Sequence, residues 1–390
     1  MNQNKTVAFK NCMVLIDNDF VSDVTVVVKD GQISDVIKGF DLNDQSAQIV
    51  DLNGQYLVPG FIDLQVNGGG GAMFNSDPCV ETIRTIGNAH RKYGTTGFLP
   101  TLISDDFAVM EKAIAAVDQA IKEGVPGVLG IHLEGPFLNK EKRGAHDANK
   151  FCSIGDRGFE LITSLTQGKT IVTLAPELTT PEMITKLSKH GVVVCAGHSA
   201  ATYEQACRGI DAGVTGVTHL YNAMIQLGSR EPGLVGAAIS RDETWFGVIA
   251  DGFHVHDASL KIAIRAKRRG GAVLVTDAMA SVGSIDKSFI LNGEKIYAVD
   301  GRCVNSKGSL AGSDLDMISA IKNVINSADL TIEEAVRMAS LYPAKALGLD
   351  GELGRIAPGY RANLVALSPN LDVVKTWIDG DPSDSPFVNW

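Results

Sequence analysis

Disulfide scaffolding, membrane spans and an excess of basic charge are all missing from this chain of 390 residues. Its six cysteines, Cys12, Cys79, Cys152, Cys195, Cys207 and Cys303, include no C-x-x-C pair. So few scattered thiols in a long chain point to a reduced, cytoplasmic protein rather than a disulfide framework. No stretch approaches the roughly 20 apolar residues of a membrane helix, so no membrane partner is expected. The opening MNQNKTVAFKNCMVLIDND lacks the uninterrupted apolar segment of a secretory signal. The formal net charge of −10 argues against non-specific nucleic-acid binding, which needs a basic face. An anionic substrate would need a local cluster of cations.

The chain is 45% hydrophobic and 21% charged, with 41 glycines, which suits a large core joined by many tight turns. Near the N-terminus, TVAFKNCMVLI, VTVVVKDGQISDVI and IVDLNGQYLV are rich in Val and Ile and broken by Asp, Asn and Gly, and read as β structure. From Phe61 onward, short apolar runs alternate with segments of helical period. Strands are expected at 61–66, 96–100, 127–133, 171–175, 192–196, 215–219, 246–250 and 272–276. Helices are expected at 80–93, 106–123, 157–166, 181–190, 202–212, 258–269 and 314–327. Eight strands alternating with helices predict an α/β fold, a (β/α)₈ TIM-like barrel. A helix over 331–346 should kink or end near Pro343, and the remaining segment returns to β character. The expected organisation is a small β domain built from both termini, residues 1–57 and 351–390, beside a barrel over 58–350.

Four apolar runs end in residues able to bind a metal or carry a proton: VLGIHLEGP at Glu134, GVVVCAGHS at His198, GVTGVTHLYNA at His219 and GAVLVTDAM at Asp277. The C-terminal ends of barrel strands are where such folds place their chemistry. Glu134, His198 and His219 make a three-ligand set of the kind that leaves a catalytic zinc one open position. Asp277 suits a proton carrier beside it, although residue type alone also allows a turn cap or a further ligand. His132 shares a strand face with Glu134 but lies one layer deeper, so a core role is expected. His90 and His190 fall on predicted helices and are expected to face solvent. Of His254 and His256, the first is read as a substrate contact and the second as structural.

Taken together, FIDLQVNGGGG, HLEGPFLN, GAH, APE, AGHSAATYEQA, THLYNAM, REPGLVG, ADGFHV, VTDAM, LAGSDLDM and GELGRIAPGYRANLV resemble the N-acetylglucosamine-6-phosphate deacetylase family of the amidohydrolase superfamily. The resemblance spans nearly the whole chain. It implies a deformed barrel with a terminal β-sandwich, and hydrolysis of N-acetylglucosamine 6-phosphate to glucosamine 6-phosphate and acetate. It implies metal ligation by Glu134, His198 and His219, acid–base catalysis by Asp277, and orientation of the acetamide by His146. Asn222, Ala223, Arg230 and His254 match phosphate- and sugar-binding positions. Ala145, Asp251, Gly252, Phe253, Leu310, Ala311 and Gly312 fall in segments that border the substrate. Arg230 is expected to reach a neighbouring subunit's site, which implies a homodimer.

One departure is informative. Many amidohydrolases carry His-x-His on the first barrel strand, where this chain has Gln65 and Asn67. Neutral amides are poor zinc ligands beside imidazole. A single divalent ion is therefore expected, with the second metal position vacant. Zinc is the expected metal, while Fe2+, Co2+ and Mn2+ suit the same donors. The same departure counts against a dihydroorotase-like cyclic amidase or a deaminase, and retention of every ligand and the acid counts against a non-catalytic scaffold.

Overall fold

The computed structural model describes residues 6–40 and 46–383. All eight expected barrel strands are present as one parallel sheet: Phe61–Val66, Thr95–Ile103, Gly130–Glu134, Lys169–Leu174, Val193–Ala196, Val214–Val217, Trp245–Val248 and Ala272–Leu274. Neighbours pair in chain order, as successive βα units dictate. The first and last strands share no ladder. The barrel closes through an isolated bridge from Val66 to Ala278 and through Asp277 N–H donating to the Gln65 carbonyl at 3.0 Å. Buried branched and aromatic side chains, among them Phe61, Ile62, Phe98, Ile131, Val172, Val194, Phe246 and Leu274, make a continuous core, so the barrel is packed rather than open.

The outer helices are α1 (Val80–Arg91), α2 (Phe107–Lys122), α3 (Gly155–Ile162), α4 (Pro181–Lys189), α5 (Tyr203–Ala212), α6 (Gly233–Ser240), α7 (Asp257–Ala266), α8 (Met317–Ala328), α9 (Ile332–Ala339) and α10 (Leu341–Ala346). Thr202 opens α5 with a reciprocal cap to Gln205. The single helix expected over 331–346 is two, divided at Ser340. A proline ring clashes with the carbonyl four residues earlier, so Pro343 is accommodated by a break one turn upstream. Helix α6 was not expected, because GLVGAAIS is apolar on every side and has no helical period to detect.

Two further sheets flank the barrel. A four-stranded sheet (Gln32–Lys38, Val24–Lys29, Thr6–Lys10, Gln48–Asp51) and a six-stranded sheet (Asp381–Pro382, Val373–Ile378, Leu364–Leu367, Tyr56–Pro59, Met13–Ile16, Asp19–Val21) draw strands from both ends of the chain. They share a core of Val7, Phe9, Val26, Leu57, Leu364 and Trp377, with Phe9 edge-on to Trp377 at 4.9 Å between centroids. Ser288–Leu291, Glu294–Val299, Arg302–Val304 and Leu310–Ser313 form an unexpected antiparallel sheet after the last barrel strand. Its first two hairpins turn at Asn292-Gly293 and Asp300-Gly301, all four residues having positive φ, as tight hairpin turns require. Among the described residues no helix is long and apolar enough to cross a membrane.

Candidate metal and catalytic site

Glu134 closes the third strand, and His198, His219 and Asp277 lie just beyond the fifth, sixth and eighth. The last three adopt positive φ, at 46°, 33° and 52°. Left-handed backbone is unfavourable for side chains with a Cβ and tends to persist where surrounding contacts enforce it, often at functional sites. Here it turns each side chain over the barrel mouth instead of along the strand.

Glu134 Oε1 lies 3.1 Å from His198 Nε2 and 2.9 Å from His219 Nε2, and the two Nε2 atoms are 3.1 Å apart. All three side chains are buried. His198 Nδ1 is 2.8 Å from the Lys142 carbonyl, which can only accept, so Nδ1 carries the proton. In the neutral ring, Nε2 then turns a lone pair toward the carboxylate and the second imidazole. Converging lone pairs are what a cation satisfies, and these three residues fit a divalent ion.

Asp277 faces this group. Its Oδ1 accepts from Gln65 Nε2 at 3.1 Å and from Asn67 Nδ2 at 2.6 Å, and Gln65 Nε2 also lies 3.1 Å from Glu134 Oε2. One amide thus bridges both acids. Burial, and then the facing Glu134 carboxylate, raise Asp277 above the usual carboxyl range. His146 Nδ1 accepts from Ser104 N–H at 3.3 Å and lies 2.8 Å from Ser104 Oγ. The backbone donor leaves the proton of the neutral ring on Nε2, which lies 3.9 Å from Glu134 Oε1. Burial, and then His198, push His146 down to about 3, so it stays neutral.

These groups open onto a cavity of about 170 Å³ lined by Glu134, Ala145, His146, His198, His219, Asn222, Ala223, His254, Asp277, Leu310 and Gly312, together with Ile103, Gly144, Ile249 and Met279. His254 Nδ1 is anchored 2.6 Å from Asp251 Oδ2. Other residues named from the sequence stand outside this lining. Asp251 acts on His254, Gly252 is exposed, and Phe253 is 43% exposed. Ala311, between Leu310 and Gly312, is buried in a cluster with Met73, Ile103 and Met279, behind the lining that Ile103 and Met279 give the cavity. Arg230 is exposed on the loop before α6.

His132 is a core histidine, 3.0 Å from the Leu64 carbonyl and 2.7 Å from Thr173 Oγ1. His256 caps α7. His190 is exposed, but His90 is not: it is fully buried against Gly68, with Nε2 2.9 Å from that carbonyl. The expected solvent position is wrong because His90 lies on the core-facing side of α1 with Ile83 and Ile86. Burial pushes it down to about 4.

The sequence reading missed two buttresses. Glu177, in the APE segment, accepts from Asn139 Nδ2 at 2.9 Å, Ala200 N at 2.6 Å and Ser199 Oγ at 2.6 Å. It joins the loop after Glu134 to the one carrying His198, whose carbonyl also accepts from Asn139 N–H at 3.0 Å. Asp63, two residues before Gln65, sits fully buried beneath it. The signal for Asp63 was alternation, since Asp63, Gln65 and Asn67 recur every second residue on one strand face.

The sequence model of the amidohydrolase family matches residues 56–382. The chain belongs to the amidohydrolase family. This amidohydrolase is 45% identical over 325 residues to N-acetylgalactosamine-6-phosphate deacetylase from Shewanella sp. (strain ANA-3), covering 83% of this chain and 82% of that one. It is 35% identical to N-acetylglucosamine-6-phosphate deacetylase from Haemophilus influenzae, covering 96% and 98%. The crystal structure of N-acetylglucosamine-6-phosphate deacetylase from Pasteurella multocida superposes with a TM-score of 0.93 at 35% identity, over 97% of this chain and 99% of that one. A barrel with a separate β unit built from both termini is thus the architecture of this amidohydrolase.

Proposed function

We propose that this amidohydrolase removes the acetyl group of N-acetyl-D-glucosamine 6-phosphate, giving D-glucosamine 6-phosphate and acetate in amino-sugar catabolism. The observation that carries this reading is the convergence of Glu134, His198 and His219 opposite Asp277 and His146 at one cavity. One divalent ion held by Glu134, His198 and His219, with zinc as the expected metal, would supply Lewis acidity and bring the pKa of water toward neutrality. Asp277 takes the proton of the attacking water and delivers it to the departing amine. His146 directs its Nε2 proton at the acetamide oxygen as that atom gains negative charge. Gln65 and Asn67 hold Asp277 by amide donors, leaving a second ion without good ligands. Asn222, Ala223 and His254 line the substrate cavity, and free thiols suit a reduced, cytoplasmic setting.

Arg230, far out on its loop, suits phosphate recognition across a homodimer, since its planar fork matches phosphate oxygens. Arg230→Ala should raise KM for the 6-phosphate while leaving metal content unchanged. A random equimolar mixture of Arg230→Ala and Asp277→Asn subunits should recover about a quarter of wild-type activity, because about half of the dimers are mixed and one of the two sites in each would have both groups. Activity no greater than the sum of the separate variants would contradict a shared site.

The 45% identity to a galactosamine-type deacetylase supports a second reading, in which the 4-epimer is the better substrate. Acetate release should be measured from both N-acetylhexosamine 6-phosphates and from a cyclic amide. Release from the gluco sugar supports the main reading, and release from the galacto sugar alone selects the second. Turnover of the cyclic amide alone overturns both.

A further inference from the structure

The least explained group near the site is Asp63. Its carboxyl is fully buried, and among the described residues no lysine or arginine pairs with it. Oδ2 accepts from Thr276 Oγ1 at 2.6 Å, and Oδ1 accepts from Thr276 N–H at 3.3 Å and Gln65 N–H at 3.2 Å. Burying a carboxyl without a cation is costly unless its hydrogen bonds are well made. Burial pushes Asp63 up to about 7, against the opposing pull of Thr276 and Gln65.

Asp63 stands at the barrel's seam, where the first and last strands share no ladder. There its side chain links the two strands. Thr276 immediately precedes Asp277, whose φ is 52°. The Thr276 hydroxyl also accepts from Ala278 N–H at 3.2 Å, and its carbonyl accepts from Ser313 Oγ at 2.5 Å. The residues on both sides of Asp277 are therefore tied to one hydroxyl, and that hydroxyl is tied to Asp63. Asp63 also grips the backbone of Gln65, whose amide donates to Asp277 Oδ1. Both routes from Asp63 end on Asp277, one through its main chain and one through its carboxylate.

We propose that Asp63 and Thr276 are positioning residues that hold the Asp277 turn in its left-handed conformation and so aim its carboxylate into the cavity. Asp63 belongs neither to the ligand set nor to the cavity lining, so it acts through Thr276 and Gln65; the Gln65 amide also reaches Glu134 Oε2, whereas the Thr276 route leads to Asp277. This rests on the proton-carrier role proposed for Asp277.

Thr276→Val keeps the side chain's shape and removes the hydroxyl. In metal-loaded protein it should lower kcat roughly ten- to a hundredfold, the scale expected when a catalytic group is misplaced by about an ångström. KM and metal stoichiometry should stay within about twofold of wild type. Thr276→Ser restores the hydroxyl and should recover most of kcat. Combining Asp63→Ala with Thr276→Val should cost little more than either alone, because the two act as a unit. If Thr276→Val does not fold, Thr276→Ala makes the same deletion without β-branching. Amide exchange across residues 275–280, read by mass spectrometry, should be faster in the Val variant than in wild type. A wild-type kcat in metal-loaded Thr276→Val, or unchanged exchange over that segment, overturns the proposal. If wild-type protein releases no acetate, the deacetylase reading fails separately, and the exchange comparison still decides the positioning claim.

Discussion

Replacing Asp277 by Asn is expected to lower turnover by roughly 10²–10⁴-fold, the usual contribution of a positioned acid–base group, while the metal and the substrate still bind. Asparagine retains the volume and an acceptor oxygen for Gln65 and Asn67, which both donate to Asp277 Oδ1. It cannot accept and return a proton. Burial and the facing Glu134 raise the affinity of Asp277 for a proton, which suits a group that must hold one briefly and then release it. The checks are kcat, metal stoichiometry and calorimetric binding of the 6-phosphate on one preparation. Turnover near wild type would remove the proton-carrier role. Loss of the metal together with turnover would identify Asp277 as a ligand instead.

Glu134→Gln is expected to abolish metal retention and reduce acetate release to that of chelated wild-type protein. The side chain keeps its size, but its donor becomes the neutral amide already present at Gln65, and such amides bind zinc poorly beside imidazole. His198 would stay oriented by the Lys142 carbonyl, so loss of metal would reflect loss of charge rather than collapse of the site. Thermal unfolding separates the two. Chelation should lower the Tm of wild type, because a metal that binds only the folded state stabilises it. It should leave the Tm of Glu134→Gln unchanged. A variant that retains one ion and full activity would remove Glu134 from the ligand set.

The barrel was legible because each strand is a short apolar run bounded by turn residues, and each amphipathic helix repeats its apolar positions at helical spacing. Helix α6 escaped because an all-apolar octapeptide has no face. The inserted sheet could have been found, since Asn292-Gly293 and Asp300-Gly301 announce hairpins between alternating residues. At the site, residue chemistry and strand ends sufficed to nominate Glu134, His198, His219 and Asp277. The left-handed turns at His198 and Asp277 were not legible, because the contacts around them come from Lys142, Glu177, Asp63 and Ser313, distant in sequence. His90 was misplaced for the same reason: a polar residue on a helix reads as exposed until Gly69, with no side chain, is seen to admit the ring against the Gly68 carbonyl.

The most direct test of a one-metal deacetylase is to titrate metal-free protein with Zn2+ while following acetate release from N-acetylglucosamine 6-phosphate. The ligand geometry predicts that activity rises linearly and reaches its plateau at one equivalent per chain. A plateau at two equivalents, or no acetate at any ratio, would contradict it.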